Sequence, residues 1–362
     1  MHWRDIEAAP SVGPWQGLDL QLTAADLPAG APGLRVKLAY PRRIRVDCAG
    51  TPVLWGHVHP QYMGVWRLIG ARTEPWEVVP PLSAAATDAI TDAISDTIDG
   101  APGSEAWWKA WARNAARTLA ASPRTPLYPG SWQITPARAK DVPGLPLPPP
   151  ARVETFSSTH LSPNALRWAR DPEDDPPGLA PAALGGRLAW ESWFTTGSNA
   201  LVRMRDHSPP DAARVRAWAK RARAGTLPPV LTLNVSGLDM YLLLDGHDRL
   251  RAALLENAPV GFLIVSAVRS HPRRPDVQRQ EALLHELARK RPPTARRPPP
   301  STETENKLVV DAFDTRPWMS HRSRAYPLPG GVEAWEREVA AQPGITREHG
   351  IFTGEPPPSE SG

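Results

Sequence analysis

The chain has 362 residues, of which 44 are proline and 26 glycine, and its 42 basic against 38 acidic residues give a net charge of +4. This charge is too small to indicate nucleic-acid binding, and a hydrophobic content of 41% is enough for a folded core and argues against general disorder. The single cysteine, Cys48, excludes an intramolecular disulfide and any zinc or iron–sulfur site built from several cysteines.

The N-terminal sequence, MHWRDIEAAPSVGPW, lacks the apolar core of a secretory signal peptide. A membrane span needs a run of about eighteen apolar residues, and the sequence contains no such run. We therefore expect a soluble, cytoplasmic protein with no membrane partner.

The first 140 residues predict an N-terminal domain that combines an antiparallel sheet with helices. After the two prolines at 80 and 81, apolar residues recur every four positions, which predicts a helix carrying Ile90 and Ile94 and a second helix capped by Ser104. Before them, alternating apolar and polar residues predict four strands that follow one another as a meander, at 34–40, 43–48, 52–59 and 64–70.

Tryptophan and histidine side chains in this domain allow two interpretations each. Trp107, Trp108 and Trp111 lie in the second predicted helix, where they either pack in the core or form an interface for a protein partner. His57 and His59 share one face of a strand, which is compatible with metal binding. Because no third ligand is evident, we favour two histidines buried in the sheet.

Two proline-rich segments predict the domain boundaries. The sequence DVPGLPLPPP is typical of a stiff linker, and RPPTARRPPP begins a connector that contains one predicted helix, at 331–342. The predicted organisation is an N-terminal α+β domain at 1–140, a linker at 141–150, a second domain at 151–290, and a connector with a flexible tail at 291–362.

The clearest chemical signal lies in the sequence Asp245-Gly246-His247-Asp248-Arg249, which follows a predicted strand and opens a predicted helix. The first turn of a helix has unpaired N–H groups and the positive end of the helix dipole, so it favours anions. Gly246 lets the backbone approach a ligand, Arg249 offers two parallel donors, and His247 adds another. This chemistry predicts phosphate binding, with Asp245 and Asp248 as candidate ligands of a magnesium ion.

The order of a helix, a GTLPPV strand entry, a turn, the sequence YLLLDGHDRLRAA and a last strand resembles the ParB/sulfiredoxin fold over roughly residues 200–270. In that family a G-x-x-R turn cradles the phosphates of a nucleotide. The sequence is most similar to the DGHHR branch, which includes ADP- or ATP-dependent free-serine kinases. The resemblance implies an α/β domain that binds ATP or ADP with Mg²⁺, and catalytic roles for Asp245, His247 and Asp248.

Three departures from the family patterns narrow this interpretation. His247 occupies the position at which sulfiredoxins place a catalytic cysteine, so sulfinic-acid reduction is disfavoured. The Glu-Arg pair of partition-type ParB proteins is missing, and the stretch between Val268 and the proline block at 292 leaves no room for their helical DNA-binding region. Asp248 replaces the second histidine of the DGHHR pattern. The role that the family gives that histidine therefore does not carry over, and Asp248 is a candidate for an acidic or metal-binding role instead.

Two arginines upstream of the motif are further candidate phosphate ligands. Arg203 and Arg205 alternate with apolar residues, so both project from one face of a predicted strand. The alternative is an exposed edge strand with solvated arginines. Glu191, Asp206 and His207 are candidate bases only because they lie nearby in the sequence.

Three functions remain open at this point. We favour phosphoryl transfer from ATP or ADP to a small hydroxyl-bearing substrate, in which the protein mainly positions the reactants and neutralises charge. The first alternative is a non-catalytic nucleotide-binding regulatory or scaffold module, with a protein partner on the tryptophan-rich N-terminal half. A second alternative, a ParB-like nuclease or DNA-binding protein, is disfavoured by the modest net charge.

Overall fold

The structure is a computed structural model that describes residues 1–6, 15–71, 77–95, 101–138, 187–193, 200–203, 208–272, 276–289 and 318–357, with isolated positions between 306 and 313. The chain forms two compact units. One comprises Met1–Ala267 and Arg322–Gly362, and the other comprises Val268–His321.

The described residues form an α+β architecture. The strands, in chain order, are β1 (His2–Ile6), β2 (Gly17–Leu22), β3 (Leu34–Ala39), β4 (Arg43–Cys48), β5 (Thr51–Val58), β6 (Gly64–Ile69), β7 (Gly130–Arg138), β8 (Leu188–Ser192), β9 (Ala200–Arg203), β10 (Val230–Val235), β11 (Met240–Asp245), β12 (Gly261–His271), β13 (Trp318–His321) and β14 (Ala325–Pro327). The helices are α1 (Ala84–Ser95), α2 (Glu105–Ala121), α3 (Ala213–Arg223), α4 (His247–Leu255), α5 (Val277–Ala288), α6 (Gly331–Ala340) and α7 (Gly350–Thr353).

The first sheet of the large unit has six strands in the order β14-β3-β4-β5-β6-β8. Strands β3 to β6 pair antiparallel in succession, so the predicted meander is confirmed. The predicted C-terminal helix is also present as α6. It packs on this sheet through Trp335, which is fully buried and donates from Nε1 to the carbonyl of Ile44 at 3.0 Å.

The second sheet has the order β1-β2-β7-β12-β10-β11-β9 within the large unit. Strand β7 pairs antiparallel with β12, with Thr135 opposite Ile264, and β12 pairs parallel with β10. One sheet therefore takes strands from both sides of residues 141–150. That segment and residues 291–300 lie outside the described residues, so the linkers predicted there stay predictions.

The two sheets of the large unit share one hydrophobic core. It includes Val46 and Leu54 from the six-stranded sheet and Leu20 and Ile134 from the other. Helix α2 closes part of this core. Its N-cap is Ser104, as predicted, whose hydroxyl accepts from the N–H of Trp107 at 3.1 Å.

The three tryptophans of α2 are core residues. Trp107, Trp108 and Trp111 are 7%, 6% and 4% exposed, and their rings meet edge to face. The structure therefore agrees with the core interpretation of this cluster, and these side chains offer little surface to a partner.

The small unit contains the end of β12, paired antiparallel with β13 from Val268 opposite His321 to His271 opposite Trp318, and the helix α5. Across the described part of the chain, no helix is long and apolar enough to cross a membrane.

Candidate functional site

The predicted motif forms the turn between β11 and α4, here called the β11–α4 turn (Asp245–Arg249). Strand β11 ends at Asp245, Gly246 is the N-cap, and α4 begins at His247. Gly246 has φ +100° and ψ +21°, a left-handed conformation that favours glycine. A Cβ atom at this position would lie 2.9 Å from Nη2 of Arg249, so the close approach of that side chain also requires glycine.

Apolar residues on the neighbouring elements fix the position of this turn. Helix α4 buries Leu250, Ala252 and Ala253 in a cluster with Phe262 of β12 and Trp218 of α3. In chain order, α4 follows the hairpin β10–β11 and precedes strand β12. Its N-terminus is consequently held at the end of β11, where the polar side chains of the motif gather.

Arg249 is the central side chain of the turn and is only 2% exposed. Its Nη2 donates to Oδ2 of Asp245 at 2.9 Å and to the carbonyl of Pro229 at 3.0 Å. The guanidinium lies over the ring of Trp218, 5.4 Å from its centroid. Nε and Nη1 have no hydrogen-bond partner among the described residues. Because a buried charged group without its hydrogen bonds is costly, these two nitrogens make Arg249 the least satisfied charged side chain of the turn.

Asp248 connects the turn to the segment before α3. Its Oδ1 accepts from the backbone N–H of Ser208 at 3.1 Å, and its Oδ2 lies 3.4 Å from Nε of Arg214. Asp248 is 3% exposed and His247 is 2% exposed. Each carboxylate of the motif is therefore engaged by a different arginine, Asp245 by Arg249 and Asp248 by Arg214.

The other predicted site residues have different positions. Arg203 is the last residue of β9 and lies opposite Leu243 of the parallel strand β11, in the same sheet as the turn. Arg205, Asp206 and His207 lie outside the described residues. Glu191 belongs to the other sheet, where it forms a buried ion pair with Arg67 at 3.0 Å, so it is not a base at this turn.

A cavity that the sequence did not predict lies beside the turn. It has a volume of about 50 Å³ and is lined on one side by Asp245 and Arg249, and on the other by Trp111, Asn114 and Thr118 of α2. No sequence signal links α2 to the motif, because the two segments are far apart in the chain and share no pattern. They are connected through the sheet, because β7, the strand that follows α2, pairs with β12, the strand that follows α4.

The histidine pair of the N-terminal half is buried near the end of β5. Nδ1 of His57 donates to the carbonyl of Ile351 at 2.8 Å, and Nε2 of His59 lies 3.5 Å from a carboxylate oxygen of Glu355. Burial lowers the pKa of His57, and the nearby Arg43 lowers it further. In the described ranges, no group of three or more His, Cys, Asp or Glu side chains is arranged to hold a metal ion.

Comparison of the chain with protein-family models, with curated proteins and with solved structures gives no match. The resemblance to the ParB/sulfiredoxin fold therefore rests on the motif and its neighbouring elements.

Proposed function

We propose that the chain binds a nucleotide through its phosphates at the β11–α4 turn and transfers a phosphoryl group from ATP or ADP to a small hydroxyl-bearing substrate. The observation that carries this proposal is Arg249, a buried guanidinium with two nitrogens that no described residue engages. It lies at the N-terminus of a helix of nine residues, where the helix dipole also favours an anion.

The order of the surrounding elements supports a ParB/sulfiredoxin-like fold for this region. The chain runs through α3, β10, β11, α4 and β12, with β10 antiparallel to β11 and parallel to β12. This order is the one that the resemblance implies for a phosphate-binding turn. The remaining phosphate ligands in the proposal are the backbone at Gly246, the ring of His247, and Arg203 with Arg205.

The magnesium ion of the proposed reaction comes with the nucleotide. Mg²⁺ is held in many phosphate sites by one or two carboxylates and by the substrate phosphates. Asp245 and Asp248 are the carboxylates of the turn, and each already faces an arginine. These two carboxylates can coordinate Mg²⁺ only if the arginine paired with one of them turns away and contacts the phosphate instead.

Nucleotide binding is tested by thermal shift of the purified protein with ATP, ADP, CTP and GTP, with and without Mg²⁺. A ligand that binds the folded state raises the melting temperature according to RT ln(1 + [L]/Kd). We expect a saturable shift with ATP or ADP that is lost in Arg249→Ala and weakened in Arg249→Lys, which keeps the charge but loses the planar pair of donors.

The matched control is Arg216→Ala, an exposed arginine of α3 outside the turn. Its shift should equal that of the unaltered chain. Unchanged nucleotide binding in a folded Arg249→Ala protein would show that the site is assigned to the wrong residues.

A second candidate function is a nucleotide-binding module without catalysis. It is favoured by the burial of the motif, because no carboxylate of the turn lacks an arginine partner and none is well placed to act as a base. The two functions differ in turnover. Consumption of ATP or ADP that depends on a hydroxyl-bearing acceptor supports the transferase, and saturable binding without consumption supports the module.

A further inference from the structure

Helices α1 and α3 expose faces of opposite charge. Helix α1 contains two aspartates and no basic residue, whereas α3 contains five basic residues and no acidic one. Each helix buries an apolar side, with Ile94 buried in α1 and Trp218 in α3. The aspartates of α1 and most of the basic residues of α3 therefore lie on the sides that face solvent.

The two exposed faces share one pattern, in which alanines alternate with charged residues. Residues three or four positions apart lie on the same side of a helix. The acidic face, on α1, consists of Ala85, Asp88, Ala89, Asp92 and Ala93. The basic face, on α3, is a shallow groove lined by Ala213, Arg216, Ala217, Lys220, Arg221 and Ala224. Because alanine side chains are short, each face leaves room for the longer side chains of a facing helix.

The acidic and basic faces adjoin within one chain. Nη2 of Arg221 donates to Oδ1 of Asp88, and these two side chains are 26% and 57% exposed. This contact joins the two faces into one surface that is negative on one half and positive on the other. Such a surface is complementary to a copy of itself turned by half a rotation, which is the requirement for a two-fold symmetric interface.

Several charges on this surface are not neutralised within the described part of the chain. Asp92 and Lys220 are exposed, and neither has an ion-pair partner there. Arg216 donates to the backbone carbonyl of Asp211 at 2.6 Å and also lacks an ion-pair partner among the described residues. A nucleic acid or an acidic peptide would neutralise the basic face but would be repelled by the acidic face beside it. A second copy of the chain neutralises both.

We propose that two copies of the chain form a symmetric dimer in which α1 of each copy packs against α3 of the other. The two-fold axis passes near the contact between Arg221 and Asp88, so every contact across the interface occurs twice. Because the two faces contribute alanine methyl groups and charges but no large apolar side chain, the attraction is mainly electrostatic and weakens with added salt. The dimer does not depend on the function proposed above.

Sedimentation equilibrium of the full chain measures the dissociation constant of the dimer. We expect a dimer at low ionic strength that dissociates as NaCl is added. Asp92→Lys and Lys220→Glu should each weaken the dimer by about tenfold, because each turns an attraction into a repulsion at two symmetric positions. Both residues are exposed, so the variants should keep the fold of the unaltered chain.

Mixing the two variants gives the sharpest test. Asp92→Lys makes the surface more positive and Lys220→Glu makes it more negative, so each variant repels its own copies. An equimolar mixture should form a heterodimer, and the double variant Asp92→Lys/Lys220→Glu should self-associate within about threefold of the unaltered chain, since both restore opposite charges across the interface. A mixture that stays monomeric would overturn the proposal.

The matched controls are Glu333→Lys and Arg337→Glu, which reverse exposed charges of α6 and change the net charge by the same amounts. They should leave the dissociation constant within about twofold. The proposal is overturned if these controls weaken the dimer as much as the variants of α1 and α3, or if the unaltered chain is monomeric at low ionic strength. Self-association that is lost in Lys220→Glu but intact in Asp92→Lys would remove α1 from the interface and overturn it as well.

Discussion

Buried arginines occur in the six-stranded sheet and in helix α4 of the large unit, and they differ in how completely they are hydrogen-bonded. In the six-stranded sheet, Arg45 donates to both carboxylate oxygens of Asp47, at 2.6 and 2.7 Å, and also to Glu338. In helix α4, Arg249 donates only from Nη2, and its Nε and Nη1 have no hydrogen-bond partner in the described part of the chain. Burial of an arginine therefore does not by itself indicate a binding site, and it is the unsatisfied donors of Arg249 that call for an explanation.

The electrostatics of Arg45 show what complete pairing achieves. Burial opposes its charged form, but the hydrogen bonds to Asp47 and Glu338 outweigh this and raise the pKa of the guanidinium. Arg67 is more fully enclosed than Arg45, and it and its partner Glu191 are both 2% exposed. These two arginines join elements of the fold, and we assign them a structural role.

The largest expected effect is on Arg67. Substitution Arg67→Met leaves Glu191 buried without its ion-pair partner and should lower the free energy of unfolding by about 3–5 kcal/mol. Chemical denaturation measures the change. The double variant Arg67→Met/Glu191→Leu should recover most of the loss, because no uncompensated charge remains. Equal losses in the single and double variants would show that the pair is not the source of the effect.

The same substitution at Arg249 should have a smaller effect on stability. Arg249→Met removes two hydrogen bonds but leaves an Asp245 side chain that is 17% exposed to solvent, so the loss should be about 1–3 kcal/mol. Phosphate-dependent stabilisation should disappear in the same variant. If Arg249→Met lowered the free energy of unfolding as much as Arg67→Met and retained ligand binding, Arg249 would be a structural residue like Arg67.

Two buried tryptophans, Trp335 and Trp111, differ in the hydrogen bonding of their indole N–H groups. Nε1 of Trp335 donates to Ile44, whereas Nε1 of Trp111 has no partner among the described residues. Trp335→Phe should cost about 1–3 kcal/mol, because it leaves a buried carbonyl unsatisfied, and Trp111→Phe should cost less. Urea denaturation of both variants measures the difference. Equal costs would mean that the Trp111 indole has a partner in solution.

Gly246 tests the packing of the turn around Arg249. Gly246→Ala introduces a methyl group at φ +100°, 2.9 Å from Nη2 of Arg249, and should lower stability by about 1–2 kcal/mol. The control is Gly225→Ala, at φ +67° with no atom within 4 Å of the added carbon. Because both glycines have a positive φ, the additional loss of stability in Gly246→Ala measures the contact between the new methyl group and Arg249. Thermal denaturation should rank Gly246→Ala as the less stable variant.

The smallest expected effect is a pH dependence from His57. Because its pKa is lower in the folded state than in the unfolded chain, the unfolded state takes up the proton first as the pH falls. Stability is therefore complete above the ordinary histidine pKa of about 6.5 and is lost below it, with a slope of at most about 1.4 kcal/mol per pH unit. In His57→Asn, the melting temperature should depend less on pH between pH 7.5 and 5 than in the unaltered chain.

The exposed His2 provides the control for that measurement. His2→Asn should keep the slope of the unaltered chain. His321 of the small unit has a pKa lowered by burial as well, so a residual slope of the same sign remains in His57→Asn. A profile unchanged by His57→Asn would contradict the assignment.

Local patterns were sufficient to predict several elements of the fold, including those that carry the motif. The alternation in residues 34–70 predicted β3 to β6, Ser104 predicted the start of α2, and the Asp-Gly pair predicted that a helix begins at the end of β11. Each of these features depends on residues within one or two turns or on the side-chain period of a strand. The candidate phosphate ligands of the turn could also be chosen from the sequence, because Arg249 and Gly246 are close together in it.

Long-range pairing decided the rest. Nothing in the sequence indicates that β7 pairs with β12 or that α2 faces the turn, since strand order depends on how separate apolar faces are buried together and not on any local pattern. The sequence by itself determined the elements that carry the motif and the position of Asp245–Arg249 at a helix N-terminus. The tertiary structure alone decided that Trp111 and Arg249 line one cavity, because only folding brings residues so distant in the chain together.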